Sequence, residues 1–358
     1  MNHSAKDLSR EIPCEALPDA IENVEQLDEL LSRPTPEVVA TMGRIDGDMI
    51  VLGVGGKIGP SLARMARRAS DAAGVRRRII GVSRFSKPEL QNSLESHGVE
   101  TIRCDLLEAD QLAALPEASN VLYLAAMKFG TTGQEASTWA RNVHVPGLVC
   151  QRFRQSRIVA YSTGNVYPLT RPERGGSVES DATGPVGEYA MSCLGRERVF
   201  AYFSQTLGIP ITLIRLNYAT EMRYGVLVDI AVQVMAGEPI NLAMGYFNAI
   251  WQGDNNAMTL RALEQTASPP TVLNIAGPQI LSVRQVAEEF GRLFDRPVRF
   301  VGTEAPDALL SNASLASRLF GKPRVRESQL IRWIAGWRLH NGSTLNKPTH
   351  FEVRDGGF

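Results

Sequence analysis

Residues 49–59 read MIVLGVGGKIG and decide the fold. Met49–Gly53 is a short apolar run typical of a buried strand, and a helix is predicted from about Ile58 to Ala73. Between them, Gly53 allows a tight turn, Gly56 lets a backbone approach a pyrophosphate, and Gly59 lets the helix pack closely on the strand. The helix N-terminus then presents free amides and a positive dipole end to phosphates. The pattern predicts a dinucleotide-binding turn, although a tight turn without a ligand has the same glycines.

From this turn onward, apolar strands alternate with longer helices. Further strands are predicted at 78–82, 99–103, 121–125, 158–162 and 211–216. This alternation is typical of an α/β fold, a Rossmann-type doubly wound parallel sheet. After residue 217 the rhythm loosens into a smaller mixed C-terminal lobe, with short strands near 272–275 and 298–301. We therefore divide the chain into a helical N-terminal extension (1–47), a dinucleotide-binding domain (48–217) and a substrate lobe (218–358).

The bulk composition argues against several classes of partner. Lys plus Arg and Asp plus Glu are both 38, so the chain has no net charge to attract nucleic acid or a membrane surface. It contains no apolar run long enough for a membrane span or a signal peptide. The four cysteines (Cys14, Cys104, Cys150 and Cys193) have neither metal-site nor disulfide spacing. We expect a cytoplasmic protein without a metal.

The end of the second predicted strand bears on the choice of cofactor. Ser83 and Arg84 stand where NAD-binding proteins usually carry an acidic residue for the ribose hydroxyls. A carboxylate there would repel a 2′-phosphate, whereas an Arg can bind it with two hydrogen bonds. The sequence therefore favours NADP over NAD, unless Arg84 is only a solvated surface residue.

Three motifs occur in a familiar order: the glycine turn, Thr163 within YSTGNVY (161–167), and Tyr189 in a predicted helix. Together they resemble the extended short-chain dehydrogenase/reductase family, which includes nucleotide-sugar epimerases and dehydratases, and the resemblance spans about residues 48–301. It implies an NAD(P)-dependent enzyme, a homodimer and a sugar-like substrate. It implies cofactor contacts at the turn and the following strand ends: Gly53, Gly56, Lys57, Ile58, Gly59, Ser83, Arg84, Asp105, Leu106, Ala125 and Ala126.

The resemblance also assigns catalytic roles, with one departure. Tyr189 would be the acid/base and Thr163 its hydrogen-bonding partner. A free tyrosine has a pKa of about 10, so it is a poor base at neutral pH. In the family a Lys four residues after the Tyr supplies a positive charge that lowers this pKa, but here that position holds Cys193. A thiol is neutral or negative and cannot replace the Lys.

Three interpretations of this departure stay open. In the first, Lys128, just after the fourth strand, is a substitute cation. In the second, Tyr189 acts without a cation, or Cys193 has a role of its own. In the third, the protein binds NADP but is catalytically weak or inactive, and it acts as a regulator or sensor.

The resemblance also points to substrate contacts in the second half of the chain: Asn165, Asn217, Trp251 and Gln252. Sugar-nucleotide enzymes usually have an Arg-Asp pair in the segment where this chain has Phe247 and Asn248. The loss of that cation argues against a diphosphate-linked substrate. We expect an oxidoreductase or epimerase acting on a carbinol carbon of a sugar, polyol or sugar acid.

Overall fold

The computed structural model describes residues 16–357 except 129, 131 and 132, so Cys14 lies outside the described residues. The strands of this part of the chain are β1 (Met49–Leu52), β2 (Ile79–Ser83), β3 (Glu100–Arg103), β4 (Asn120–Tyr123), β5 (Arg157–Thr163), β6 (Ile211–Leu216), β7 (Ala219–Thr220), β8 (Ile240–Asn241), β9 (Tyr246–Phe247), β10 (Ile250–Trp251), β11 (Thr271–Ile275), β12 (Leu281–Ser282) and β13 (Phe300–Val301).

The α-helices of the same part are α1 (Val24–Leu31), α2 (Pro36–Arg44), α3 (Gly59–Ala72), α4 (Pro88–Ser96), α5 (Ala109–Ala113), α6 (Glu135–Trp139), α7 (Val145–Arg152), α8 (Gly187–Leu207), α9 (Val226–Ala236), α10 (Gln252–Arg261), α11 (Val283–Phe294), α12 (Ser314–Phe320) and α13 (Glu327–Leu339). No helix among the described residues combines the length and the apolar content needed to cross a bilayer.

The centre of the molecule is a seven-stranded parallel sheet in the order β11-β6-β5-β4-β1-β2-β3. Alternate residues of β1 point to opposite faces: Ile50 and Leu52 join one apolar cluster, and Met49 and Val51 join the other. Helices cover both faces, which confirms the predicted Rossmann-type fold. From β1 the next strands in sequence, β2 and β3, extend the sheet to one side, whereas β4, β5 and β6 extend it to the other. The switch point between β1 and β4 leaves a crevice at the carboxyl ends of the strands.

The seventh strand is a difference from the sequence prediction. We expected the short strand near 272–275 in the C-terminal lobe, but β11 pairs with β6 in parallel, from Thr271 opposite Thr212 to Ile275 opposite Leu216. Leu273 and Ile275 are fully buried there. The chain therefore returns from the lobe to extend the sheet, because the edge of β6 offers both backbone partners and an apolar surface.

The lobe and the N-terminal helices share the remaining core. Phe290 and Trp333 lie at the centre of the lobe's apolar cluster, which also takes in Leu27 and Leu31 of α1. The next helix, α2, packs instead against α3 and α10, and its Val38 and Met42 join the apolar cluster on one face of the sheet. The N-terminal segment that the structure describes contains α1 and α2, and it packs on both halves of the molecule.

Candidate cofactor and active site

A cleft of about 740 Å³ opens at the carboxyl ends of β1, β2 and β4. Eight of the predicted cofactor residues line it: Gly53, Gly56, Ser83, Arg84, Asp105, Leu106, Ala125 and Ala126. Lys57 instead lines a smaller neighbouring pocket of about 340 Å³. Ile58 and Gly59 stand at the start of α3. The structure therefore brings the predicted dinucleotide residues together around one crevice.

Each glycine of the turn is required at its position for a different steric reason. Gly53 has φ +87°, and a Cβ built on it would lie 2.7 Å from the Ala125 nitrogen. A Cβ on Gly59 would lie 2.3 Å from the Val54 carbonyl oxygen. A Cβ on Gly56 would meet only the Gly53 carbonyl oxygen, at 3.5 Å, so this residue faces open space in the cleft. No side chain caps the N-terminus of α3. The turn fits a dinucleotide diphosphate, for which it offers free amides and room for close approach.

Two arginines flank Asp105 in the part of the cleft where the adenosine is expected. The Arg84 and Arg141 guanidinium nitrogens lie 4.0 Å and 3.9 Å from the Asp105 carboxylate oxygens. Arg84 is exposed, so its side chain can turn toward a phosphate as well as toward Asp105. The sequence prediction missed Arg141, which comes into the cleft from a π-helical segment (140–144) between α6 and α7.

Tyr189 lies at the start of α8, within reach of the end of β5. Side-chain hydrogen bonds link it to Thr163 and to the Cys193 thiol. The Thr163 hydroxyl donates to the Asn165 side-chain oxygen over 2.9 Å. Burial and the neighbouring Cys193 hold the pKa of Tyr189 well above its usual value. The predicted acid/base and its partner are thus in contact, but Cys193 opposes ionisation of the tyrosine.

Lys128 lies against the same tyrosine. Its amine is 5.9 Å from the centre of the Tyr189 ring, and the side chain is half-buried. The Asn142 amide holds the preceding residue, since it accepts from the Met127 backbone nitrogen at 2.8 Å and donates to the Met127 carbonyl at 2.9 Å. Burial lowers the pKa of Lys128 to about 8. A positive charge is therefore present near Tyr189 at neutral pH.

A second amine from the glycine turn enters this region. The Lys57 amine stands 3.2 Å from the centre of the Tyr224 ring, a cation–π contact. Burial, followed by the charges of Lys128 and Lys347, lowers the pKa of Lys57 to about 7, and Asp229 opposes this effect. The sequence prediction did not single out Tyr224 or Asp229, which approach the turn only through the packing of the lobe.

A buried ion pair supports the strand ends beneath Thr163. Arg215 of β6 and Glu197 of α8 approach to 2.7 Å, and the Ser162 hydroxyl donates to the same carboxylate over 2.5 Å. Arg215 also donates to the Tyr167 hydroxyl at 2.7 Å, which in turn donates to the Asn274 side-chain oxygen at 2.9 Å. Tyr167 is thus engaged in a structural network.

The structure buries two of the predicted substrate residues, Trp251 and Gln252. Trp251 is 3% exposed and packs in the lobe core, 5.5 Å between ring centres from Trp333. Gln252 is also buried, and its amide donates to the Lys57 carbonyl at 3.4 Å and the Ser61 hydroxyl at 3.1 Å. It supports the dinucleotide turn from the lobe side. The sequence alone does not reveal which neighbouring residues cover Trp251 and Gln252.

The two asparagines predicted for the substrate differ from each other. Asn165 is half-buried beside Thr163, the residue that contacts Tyr189. Asn217 is 2% exposed, and its amide donates to the Leu309 carbonyl at 3.3 Å. It lies directly behind Gly164, whose Cβ would come within 3.2 Å of it. In this arrangement Asn165 is the better placed of the two for a substrate hydroxyl.

Residues 49–219, which contain the turn, Thr163 and Tyr189, match the sequence model of the NAD dependent epimerase/dehydratase family. This match covers slightly less than half of the chain, and it confirms the family resemblance of the motifs. The protein is accordingly an enzyme of the epimerase/dehydratase type, as the resemblance of its motifs implied. The family match ends just after β6, so it leaves most of the C-terminal lobe undescribed.

Solved structures of this family's fold cover more of the chain. MoeE5, solved with UDP-glucose and NAD, is 21% identical over 82% of this chain and 99% of its own, with a TM-score of 0.64. The UDP-glucose 4-epimerase of Thermotoga maritima is 16% identical over 82% and 99%, with a TM-score of 0.66. The dTDP-glucose 4,6-dehydratase of Bacillus anthracis is 16% identical over 83% and 97%, with a TM-score of 0.69. At these identities the likeness shows the fold alone. No curated protein matches the sequence.

Proposed function

We propose that this family member is an NADP-dependent oxidoreductase or epimerase that acts on a carbinol carbon of a sugar, polyol or sugar acid. The observation that carries the proposal is the arrangement at Tyr189. This tyrosine shares a hydrogen bond with Thr163, and the Lys128 amine lies 5.9 Å from its ring centre. An acid/base, a hydroxyl that can orient a substrate oxygen, and a cation thus meet beside a dinucleotide turn.

The roles follow from the chemistry of carbinol oxidation. A bound nicotinamide cofactor supplies or accepts the hydride. Tyr189 takes the proton from the substrate hydroxyl on oxidation and returns it on reduction, while Thr163 holds the same oxygen. Lys128 takes the electrostatic role of the missing family Lys, because a nearby positive charge stabilises the phenolate. In epimerisation the same residues act twice, through a ketone.

The cofactor preference rests on Ser83 and Arg84. Ser83 lines the cleft at the position where NAD-binding proteins usually have an acidic residue, and the neighbouring Arg84 is exposed. The named neighbours MoeE5 and the dehydratase were solved with NAD. Because of Ser83 and Arg84 we nevertheless propose NADP, and a binding measurement distinguishes it from NAD.

The substrate preference rests on the segment after β8. Phe247 is buried, with its ring centre 6.2 Å from that of Phe351, and the Asn248 side-chain oxygen accepts from the Ser311 backbone nitrogen at 2.9 Å. Neither provides a cation for a diphosphate, which supports a substrate without a nucleotide. The structures named above are known with nucleotide sugars or named for them, which favours the opposite class.

A binding titration combined with a turnover screen tests the proposal. NADH and NADPH fluorescence gives the affinities, and turnover is then measured over free sugars, polyols, sugar acids and nucleotide sugars. We expect tighter binding of NADPH, turnover of an unlinked substrate, and loss of turnover in Tyr189→Phe. Tyr202→Phe is the control, because that side chain is 62% exposed on the same helix.

Dinucleotide binding that Tyr189→Phe leaves unchanged, without turnover of any of these substrate classes, would overturn the proposed reaction. That result would favour an NADP-binding regulator. Turnover of nucleotide sugars alone would overturn only the substrate class.

We further propose a cytoplasmic homodimer. The described cysteines Cys104, Cys150 and Cys193 are free and buried, which suits a reducing compartment. Trp139 and Met191, on α6 and α8, leave apolar surface exposed, which suits a second subunit at these helices. Size-exclusion chromatography with light scattering tests the oligomeric state.

A further inference from the structure

The C-terminal tail, residues 340–357, is docked across the site. After α13 the chain turns back, and the Leu345 backbone amide donates to the Arg223 carbonyl over 2.9 Å. Thr349 donates to the Asp229 carboxylate from its backbone amide at 2.8 Å and from its hydroxyl at 2.6 Å. The segment between these two residues is therefore held at both ends.

The tail then continues over the lobe to the helix that carries Tyr189. Phe351 is buried in the lobe core against Phe247, and Arg354 donates to the Asp307 carbonyl over 2.8 Å. A Cβ built on Gly187, the first residue of α8, would lie 2.5 Å from the Gly356 carbonyl oxygen. The tail is thus packed against the rest of the molecule along its length, from the dinucleotide turn to the helix that carries Tyr189.

Lys347 lies between the two anchors and faces the dinucleotide turn. It lines the larger cleft together with Gly55, Gly56, Ser83 and Arg84. It also lines the smaller pocket beside the turn. Pro348 follows it and restricts its backbone to extended conformations, which limits the region that the side chain can search. A cation is therefore held next to the free amides of α3, where phosphate is already favoured.

We propose that Lys347 binds a phosphate of the dinucleotide, so that the C-terminal tail completes the cofactor site. The inference rests on the proposed binding of a nicotinamide dinucleotide. Two phosphate-bearing parts of NADP would lie along the part of the cleft that Lys347 lines: the diphosphate over Gly55 and Gly56, and the 2′-phosphate near Ser83 and Arg84. The chemistry is the same in both cases, an ammonium paired with a phosphate oxygen.

The surrounding charges agree with this assignment. Lys347 is one of the cations that lower the pKa of Lys57, after burial and Lys128. Arg84 and Arg141 line the same cleft, and Asp105 is the acid within 4.0 Å of both. A phosphate in the cleft would offset the mutual repulsion of these cations.

Three variants test the inference: Lys347→Gln, Lys347→Arg and, as a matched control, Lys322→Gln. Lys322 is likewise exposed and followed by a proline. Affinities for NAD and NADP are measured by isothermal titration calorimetry at low ionic strength. We expect Lys347→Gln to raise Kd on the order of tenfold, Lys347→Arg by less than about threefold, and the control not at all.

A loss for both dinucleotides assigns Lys347 to the diphosphate, and a loss for NADP alone assigns it to the 2′-phosphate. Values for Lys347→Gln within about twofold of wild type for both dinucleotides would overturn the inference and leave the proposed cofactor intact. Failure of the wild-type protein to bind either dinucleotide would overturn the proposed cofactor, and this inference with it.

A second measurement does not depend on the folding of a variant. The wild-type protein is treated with acetic anhydride, and the modification of each lysine is followed by peptide mass spectrometry. Bound dinucleotide should slow acetylation at Lys347 and leave Lys322 unchanged. An unchanged rate at Lys347 under saturating dinucleotide also overturns the inference.

Discussion

The Lys128 amine lies 5.9 Å from the centre of the Tyr189 ring, although the two residues belong to different elements of the chain. In related enzymes a cation near this tyrosine comes from one turn further along the same helix, where this chain has Cys193. A loop after β4 thus adds a cation beside this tyrosine, where the charge of Arg196 on the same helix already acts to lower the pKa of the tyrosine. The arrangement gives the substitute-cation interpretation a geometric basis.

Removal of the Lys128 charge should therefore reduce turnover strongly. We expect Lys128→Gln to lower kcat by about 100-fold with a smaller change in cofactor affinity, since the charge acts on Tyr189. Lys128→Arg should retain part of the activity. Steady-state kinetics on the substrate identified in the screen provide the measurement. Full activity in Lys128→Gln would exclude the substitute-cation role.

Replacement of Cys193 separates the second interpretation from the first. Cys193 is fully buried, and burial raises the pKa of its thiol, so we expect it to stay neutral. Cys193→Ala should leave kcat within about threefold of wild type, because a neutral thiol supplies no positive charge and no group that the reaction needs. A much larger loss in kcat, with unchanged thermal stability, would show that the thiol takes part in the reaction.

Arg84 should control the choice between the two dinucleotides. Arg84→Ala should weaken NADP binding on the order of tenfold and leave NAD binding nearly unchanged, because only NADP carries the 2′-phosphate. The comparison is made by titration of both cofactors. Arg174→Ala serves as the control, because this exposed arginine ends a short 3-10 helix and does not line the cleft. Equal losses for NAD and NADP would contradict this role.

Two glycines of the turn should respond differently to substitution. A Cβ at Gly56 meets only one atom, 3.5 Å away, so Gly56→Val should fold normally and lose dinucleotide binding by obstruction of the cleft. A Cβ at Gly59 would lie 2.3 Å from the Val54 carbonyl oxygen, so Gly59→Ala should lower thermal stability. Calorimetric melting and cofactor titration of both variants check this contrast. The reverse pattern would argue against the turn as the phosphate site.

The two site amines should titrate far below ordinary lysines. Burial disfavours the charged form, which lowers the pKa of Lys57 to about 7 and that of Lys128 to about 8. Each ammonium is present below its pKa and is lost as the pH rises through it. NMR of ¹³C-dimethylated lysines should show two resonances that titrate near these values and disappear in Lys57→Gln and Lys128→Gln. Bound dinucleotide should raise both pKa values, since a nearby phosphate favours the charged forms of the two amines.

Local patterns in the sequence carried much of the prediction. Gly53, Gly56 and Gly59 specify a strand–turn–helix unit through steric demands within a few residues of one another. Thr163 and Tyr189 follow from motifs of the same kind, each at the end of a strand or the start of a helix. Such features depend on neighbours along the chain, so the sequence by itself determined the fold class and the place of the crevice.

Contacts between distant segments were decided only by the tertiary structure. The packing of the loop after β4 brought Lys128 to Tyr189, and the docked tail brought Lys347 to the glycine turn. Trp251 entered the core rather than the cleft because Trp333 covers it. These outcomes depend on which apolar surfaces bury each other across long loops, and no spacing within one segment encodes that choice.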